Sequence, residues 1–346
     1  MDTLTLRFLA VAVVTAAGLA AQEPAGGAPR EGSLNSYLNR EPTDTTGQLA
    51  LMMQNLFEQQ VDTTVVQFLL QYGSRIHMDR TQYPANTSDH EMIPAYVFTP
   101  ANMPPGQKRP GLVMVHGGFH EKLDWRWFKL IDEAVGHGYA VIFPEYRGSS
   151  GYGETIYNNN YGVTDTADVL AAGDYLAKKD FVDSAHIGII GHSRGGMTTL
   201  LALENGPKRF QAAVTVAPLV DFLAYMAYKP EARRQEVARE KQFGGLLPDK
   251  GLPSYIEISP INHVDKIQTP LLFLATTGDK IVPIQLHGER LIDAMKARGK
   301  VFDSHIYNNA PGGHTYIYGD SPETTDTFRR SFEWLGKYLK PSSASQ

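Results

Sequence analysis

The sequence contains no cysteine. Disulfides, a thiol nucleophile, cysteine-ligated zinc and a lipid-modified N-terminal cysteine are therefore excluded. Charge of one sign is also scarce. Lys+Arg 32 against Asp+Glu 37 leaves −5, with no dense basic run, so nucleic-acid binding through phosphate neutralisation is not expected. Gly 32 and Pro 21 follow no short period, which excludes collagen-like and low-complexity chains. Beyond the N-terminal segment no stretch reaches the ~20 consecutive apolar residues that span a bilayer. Chemistry must come from Ser, His, Asp, Glu, Tyr or the backbone.

What remains is ample for a core. Of 346 residues, 42% are apolar and 20% charged, the size of one large domain or two ordinary ones. Residues 1–21 read as an export signal, with an apolar run over 8–20 and small residues Gly18, Ala20 and Ala21 for cleavage. An uncleaved anchor is the alternative. The expected location is periplasmic or extracellular, with no stable membrane span in the mature form. Residues 22–45 read as a flexible leader, rich in Ala, Gly, Pro and Glu at its start. The folded domain is expected over 46–340, with a tail at 341–346.

From residue 111 onward, short apolar runs alternate with helical patterns. The runs at 111–115, 139–143, 186–190, 212–216 and 271–275 are continuous rather than alternating, as in parallel strands buried on both faces. Between them, Val169, Gly173, Leu176 and Ala177 share one helix face after Thr164. A second helix runs from Gly195 to the stop signal Asn205-Gly206-Pro207. Pro283 is expected to open a third. Ser321 is expected to cap a last one that turns Phe328, Phe332, Leu335 and Leu339 inward. The fold class is α/β, a three-layer sandwich with a mostly parallel sheet and helices on both faces. Upstream, residues 96–98 are expected to pair antiparallel with the segment around 74–77, and 49–59 has helical character. Residues 219–262 hold no strand and read as a small helical cap insertion. In such sheets an insertion there sits above the carboxyl ends of the strands, where ligands bind.

After the run 186–190 comes Gly191-His192-Ser193-Arg194-Gly195-Gly196, then a helix. This is G-x-S-x-G in a strand–turn–helix context, where small residues on either side let a tight turn lift the serine hydroxyl. A serine needs a base, and the base an orienting carboxylate, in the order Ser, acid, His. Asp279 follows the strand 271–275 in Thr276-Thr277-Gly278-Asp279, and His314 follows the next strand, 302–307, in Pro311-Gly312-Gly313-His314. Ser193, Asp279 and His314 are the expected triad. His305, Asp303 and Asp265 fit less well, and His192 is expected to point away from the nucleophile. Oxyanion donors are expected from the Arg194 amide and from the loop His116-Gly117-Gly118-Phe119. His116 and His120 stand four apart, but Gly117-Gly118 between them argues against a helix, so neither a metal nor a cofactor is expected.

From about residue 96 to 339 the chain resembles the catalytic domain of the prolyl oligopeptidase family of serine peptidases and esterases. The resemblance rests on the oxyanion loop and elbow above, Tyr146-Arg147-Gly148-Ser149-Ser150-Gly151-Tyr152-Gly153 and Asp168-Val169-Leu170-Ala171-Ala172. It also covers Ser259-Pro260-Ile261-Asn262 and Asp279-Lys280-Ile281-Val282-Pro283. It implies an α/β-hydrolase fold, the same triad, and an oxyanion hole built from the Gly118 and Arg194 amides. Three features depart from the family pattern. The residues upstream are too few for the β-propeller of peptide-cleaving members, Arg194 stands where an aromatic residue is common, and Ala275-Thr276 replaces a frequent His-Gly.

The expected function is a serine hydrolase that cleaves short peptide or amide bonds, or small carboxylic esters, through an acyl-enzyme on Ser193. The alternative is a carboxylesterase of the dienelactone or feruloyl kind with no peptidase role, and a remote third is a non-catalytic binding module. Haloalkane and epoxide chemistry would need an aspartate at the elbow. The expected partner is a small ester or short peptide, and oligomeric state is not legible in the sequence. Phe119, Tyr152 on the 152–161 loop, and Phe222, Tyr225 and Met226 at the start of the cap are the expected substrate contacts.

Overall fold

The computed structural model describes residues 63–339. The export signal, the leader, the 49–59 segment and the tail lie outside these residues. The described residues fall into two units, divided after residue 74. In the first, helix α1 (Thr63–Tyr72) stacks the rings of Phe68 and Tyr72 at 5.1 Å.

The second unit holds one eight-stranded sheet: β1 (Ile76–Pro84), β2 (Met92–Pro100), β3 (Arg109–Val115), β4 (Ala140–Pro144), β5 (Val182–His192), β6 (Ala212–Val216), β7 (Leu271–Thr276) and β8 (Phe302–Tyr307). Their spatial order is β1-β2-β4-β3-β5-β6-β7-β8. The β1–β2 and β2–β4 pairs are antiparallel and every pair from β4 to β8 is parallel. The early pairing runs longer than its apolar core, from Ile76 opposite Pro100 to Pro84 opposite Met92. β4, β6 and β7 are buried along their whole length, which is why they read as unbroken apolar runs.

Helices α2 (Phe128–Gly136) and α10 (Pro322–Leu339) cover one face, with His137 after α2 stacked on Phe332 at 4.6 Å. On the other face lie α4 (Thr164–Ala177), α5 (Arg194–Asn205) and α9 (Gly288–Ala297), which share a core with Ile187, Ile189 and Phe273. A short helix α3 (Glu154–Tyr157) precedes α4. α10 starts as its sequence indicates: the Ser321 hydroxyl accepts the Thr324 N–H at 3.2 Å. α9 does not open at Pro283. The segment after Pro283 is an irregular turn, in which the N–H of His287 bonds back to both Pro283 and Ile284. The helix begins only at Gly288, where the Phe273 ring occupies the space of a side chain.

The cap consists of α6 (Phe222–Tyr228), α7 (Glu231–Ala238) and α8 (Pro248–Glu257). Asp221 caps α6 through the Ala224 N–H at 2.8 Å. The cap has its own small core. Phe243 stacks on Tyr255 at 4.3 Å and on Phe222 at 5.4 Å, with Met197 and Leu201 of α5 beneath. Truncating a ring buried as fully as Phe222 costs about 3–5 kcal/mol, so the cap is fixed onto the sheet.

Candidate active site

β5 ends at His192 and α5 begins at Arg194. Ser193 lies between them with φ 58°, a left-handed conformation that costs a side-chain-bearing residue energy and marks functional turns. The Ser193 N–H bonds to the Val216 carbonyl at 2.9 Å, and the Ser193 carbonyl accepts Met197 N–H at 3.1 Å. At Gly195 a Cβ would fall 2.2 Å from the Val115 oxygen. The helix can approach β3 this closely only without a side chain there.

Ser193 Oγ is 2.8 Å from His314 Nε2, and His314 Nδ1 is 2.6 Å from Asp279 Oδ2. The second Asp279 oxygen accepts the N–H groups of Ile281 and Val282, each at 2.8 Å. Asp279 is buried, and the three hydrogen bonds to its carboxylate leave it one orientation. Its carboxylate holds the Nδ1–H tautomer of His314, which turns an unprotonated Nε2 toward the serine hydroxyl. These residues come from the ends of β5, β7 and β8, parallel strands of one sheet with β6 between the first two, and the sheet brings together groups far apart in sequence. His305 and Asp303 stay on β8, and Asp265 stays in a 3-10 turn away from the site.

A cavity of about 170 Å³ opens at Ser193. Gly117, Gly118 and Arg194 border it beside the serine, with Phe119, Leu219, Tyr225 and Val282 as walls. Of the expected substrate contacts, the structure brings Phe119 and Tyr225 to the cavity. It corrects the other three. Tyr152 turns to the far side of its loop, where its hydroxyl meets that of Tyr96 at 2.9 Å and its ring packs on the main core. Phe222 and Met226 are fully buried inside the cap, where they hold α6 down rather than face a ligand. Sequence reasoning missed Arg126, Arg233 and Tyr318 in the cavity wall. His192 borders the cavity as well, its ring nitrogens meeting the His314 carbonyl and the Tyr318 hydroxyl.

The oxyanion loop is held from behind. His116 Nε2 meets Ser149 Oγ at 2.9 Å, the Tyr146 hydroxyl donates to the His116 carbonyl at 2.6 Å, and Ser149 Oγ donates to the Tyr146 carbonyl at 2.7 Å. Burial lowers His116 to about 3, so its imidazole is neutral and serves as scaffold. Arg147 forks onto Asp168 of α4, with Nη2 and Nε at 2.7 and 3.0 Å from its two oxygens. Within the Tyr146–Gly153 segment, Tyr146 and Ser149 thus support this loop, while Arg147 ties the segment to α4. His120 turns instead to the Gly148 carbonyl at 2.8 Å and to Glu240. Among the described residues no group of three or more His, Asp or Glu is placed to hold a metal ion. No helix among them is long and apolar enough to cross a membrane.

Residues 127–342 match the sequence family described as the prolyl oligopeptidase family. The acylamino-acid-releasing enzyme of Arabidopsis thaliana is 27% identical over 261 residues, covering 71% of this chain and 32% of that protein. Acylamino-acid-releasing enzyme 1 of Oryza sativa subsp. japonica is 30% identical over 184 residues, 51% of this chain and 24% of that protein. Among solved structures, a puromycin-hydrolyzing peptidase of Mycobacterium tuberculosis superposes with a TM-score of 0.62 at 26% identity, covering 75% of this chain and 39% of that one. An acylaminoacyl peptidase in complex with Z-Gly-Gly-Phe-chloromethyl ketone shares the fold, with a TM-score of 0.66 at 21% identity over 79% of this chain and 43% of that one. The chain spans about a third of the length of the curated relatives it matches.

Proposed function

The chain belongs to the prolyl oligopeptidase family, and from that premise we propose that it is a serine peptidase acting on short peptides or small amides through an acyl-enzyme on Ser193. The observation that carries this reading is the continuous Ser193–His314–Asp279 hydrogen-bond chain, with contacts of 2.8 and 2.6 Å. His314 Nε2 takes the Ser193 proton as Oγ attacks the scissile carbonyl, and Asp279 stabilises the imidazolium that forms. The developing oxyanion is received by the N–H groups of Arg194 and Gly118. Collapse of the intermediate breaks the C–N bond, and His314 passes its proton to the departing amine. Water, deprotonated by the same His314, then attacks the acyl-enzyme and releases the acid.

Size favours a short substrate. A cavity of about 170 Å³ is smaller than the ~300–1,000 Å³ typical of sites for drug-sized ligands, and fits one side chain or a compact acyl group. The relatives named for releasing acylated amino acids and for hydrolysing puromycin support an amide joined to a single residue. Export rests on the apolar run 8–20 and is read by N-terminal sequencing of the protein recovered outside the cytoplasm.

The test is a panel of acylaminoacyl and dipeptidyl anilides, short aryl esters and hydroxycinnamate esters, measured with wild type and Ser193→Ala. Activated esters are expected to turn over because their alkoxides leave readily. The peptidase reading further requires measurable kcat/KM on at least the aminoacyl anilides. Ester turnover with every anilide inert would replace it with the carboxylesterase reading.

A further inference from the structure

His192 lies one bond from the Ser193 residue, yet nothing in the reaction above uses it. Its ring is buried, 4% exposed, and lies 4.8 Å from the His314 ring between centroids. His192 Nε2 is 2.9 Å from the backbone oxygen of His314, and Nδ1 is 2.9 Å from the Tyr318 hydroxyl. A carbonyl only accepts, so Nε2 carries the proton and Nδ1 accepts from Tyr318. The Tyr318 ring is clamped in turn, 5.5 Å from Trp127 and 5.5 Å from the Arg126 guanidinium, which Asp124 and Glu121 neutralise.

We propose that His192 is a positioning residue for His314, tying the turn that carries the nucleophile directly to the backbone of the base. The inference rests on the reading of Ser193, His314 and Asp279 as the reacting groups. The need for a tether comes from the turn that leads into the 3-10 helix Gly313–Tyr318, whose second residue is His314. His314 is reached through Gly312 and Gly313, both at positive φ (88° and 54°), and glycines constrain a backbone least. Asp279 fixes the imidazole from the Nδ1 side, but nothing in that contact fixes the height of the His314 backbone above Ser193. The His192 bond does. It reaches the carbonyl and not the ring, so the imidazole stays free to pass its proton from Ser193 to the leaving group.

The charges around His192 fit this role. The groups facing it are His314, Tyr318 and, through the tyrosine ring, Arg126, with Asp279 beyond His314. None is an acid in contact with it. A neutral His192 therefore adds no positive charge beside the imidazolium formed during the reaction.

The experiment compares His192→Ala, His192→Gln and Tyr318→Phe with wild type, reading kcat, KM, melting temperature and the rate of labelling by a fluorophosphonate. Glutamine offers one N–H for the His314 carbonyl and one oxygen for the Tyr318 hydroxyl. His192→Ala is expected to lower kcat and labelling rate by roughly 10²-fold, the scale of an ångström-sized misplacement, with KM within about twofold. His192→Gln is expected to recover most of the loss. Tyr318→Phe, which leaves the ring without its donor to Nδ1, is expected to fall between them. Wild-type kcat and labelling rate in folded His192→Ala overturn the inference, as does a His192→Gln protein that melts like wild type but is no faster than alanine. Should the alanine protein not fold, unchanged kcat in Tyr318→Phe together with a slow, stable His192→Gln overturns it. A wild-type protein that is not labelled at Ser193 at all instead overturns the triad reading on which the inference rests.

Discussion

Arg194, the residue after Ser193, places its guanidinium Nη2 2.7 Å from Asp165 Oδ2, and both side chains are shut off from solvent. Nη1 of the same group donates to the Gly118 carbonyl at 3.2 Å and to the Tyr146 hydroxyl at 3.0 Å. The Tyr161 ring lies 4.2 Å from the guanidinium. One side chain thus links the elbow, the oxyanion loop and the start of α4. Where the family commonly has an aromatic residue, this chain buries a cation in an aromatic surround and neutralises it from α4.

Breaking that pair should be costly. Arg194→Met leaves Asp165 buried without its cation, and losing one partner of such a pair costs about 3–5 kcal/mol. Adding Asp165→Asn to Arg194→Met is expected to restore more than half of that loss. Denaturant unfolding of the two single variants and the double variant checks this. Strict additivity of the two losses would contradict the coupling.

Asp279→Asn keeps an oxygen for the Ile281 and Val282 amides but presents an N–H to His314 Nδ1, which favours the wrong tautomer. The expected result is a fall in kcat of about 10⁴-fold with little change in KM. Steady-state kinetics on any substrate of the panel decides it. A drop of less than tenfold would move the role of the acid elsewhere, with Asp303 next to be tested.

Glu204 on α5 is buried, and its Oε1 has no hydrogen-bond partner among the described residues. Burial pushes its carboxyl up to about 9, with Lys266 pulling it back and Asp265 adding to the rise. The folded pKa is above the unfolded value, so the contribution of Glu204 to stability is complete below about 4.5 and is lost as pH rises toward about 9. Glu204→Gln removes that dependence. It should be more stable than wild type by on the order of 1–3 kcal/mol at pH 8, a gain of several degrees in Tm, with the two proteins converging near pH 4.5. Scanning calorimetry across that range is the check, and parallel Tm curves would contradict it.

Three buried histidines act at the acid end. Desolvation lowers His116 to about 3 and His287 to about 4, and depresses His192 as well. The unfolded chain takes up protons near 6.5 that the folded one refuses. Stability from these groups is therefore complete above about pH 6.5 and declines as pH falls toward 4. Tm is expected to drop steadily from pH 6.5 to 4.5, in both wild type and Glu204→Gln. A flat curve for Glu204→Gln over that interval would contradict the burial of neutral imidazoles.

The strands were legible because a buried parallel strand writes itself as an unbroken apolar run, as at 212–216 and 271–275. Ser193 and Asp279 were legible because each follows such a strand on a polar or glycine-rich turn, and His314 because it follows the mixed edge strand β8 in Gly312-Gly313-His314. The directions of side chains on the loops and cap were not. Phe222, Tyr225 and Met226 sit at helical spacing, and only the way α6 rolls onto Met197 and Leu201 decides that Tyr225 meets the cavity while the other two fill the cap. The hydroxyl of Tyr152 meets that of Tyr96 on β2, a partner 56 positions away that the loop sequence does not reveal. The partners of His192, His314 and Tyr318, were not legible because they lie more than 120 residues away. Arg194 and Asp165 likewise pair across 29 positions, a match that no local pattern announces.

The triad requires that Ser193 be the one nucleophile, activated by His314. Peptide-level mass spectrometry of the protein inactivated by a fluorophosphonate tests it most directly. A single adduct is expected on the peptide containing Ser193, absent from Ser193→Ala and formed at least ~10³-fold more slowly in His314→Ala, in line with the loss of a triad base. An adduct on any other residue, or full-rate labelling of Ser193 without His314, would contradict it.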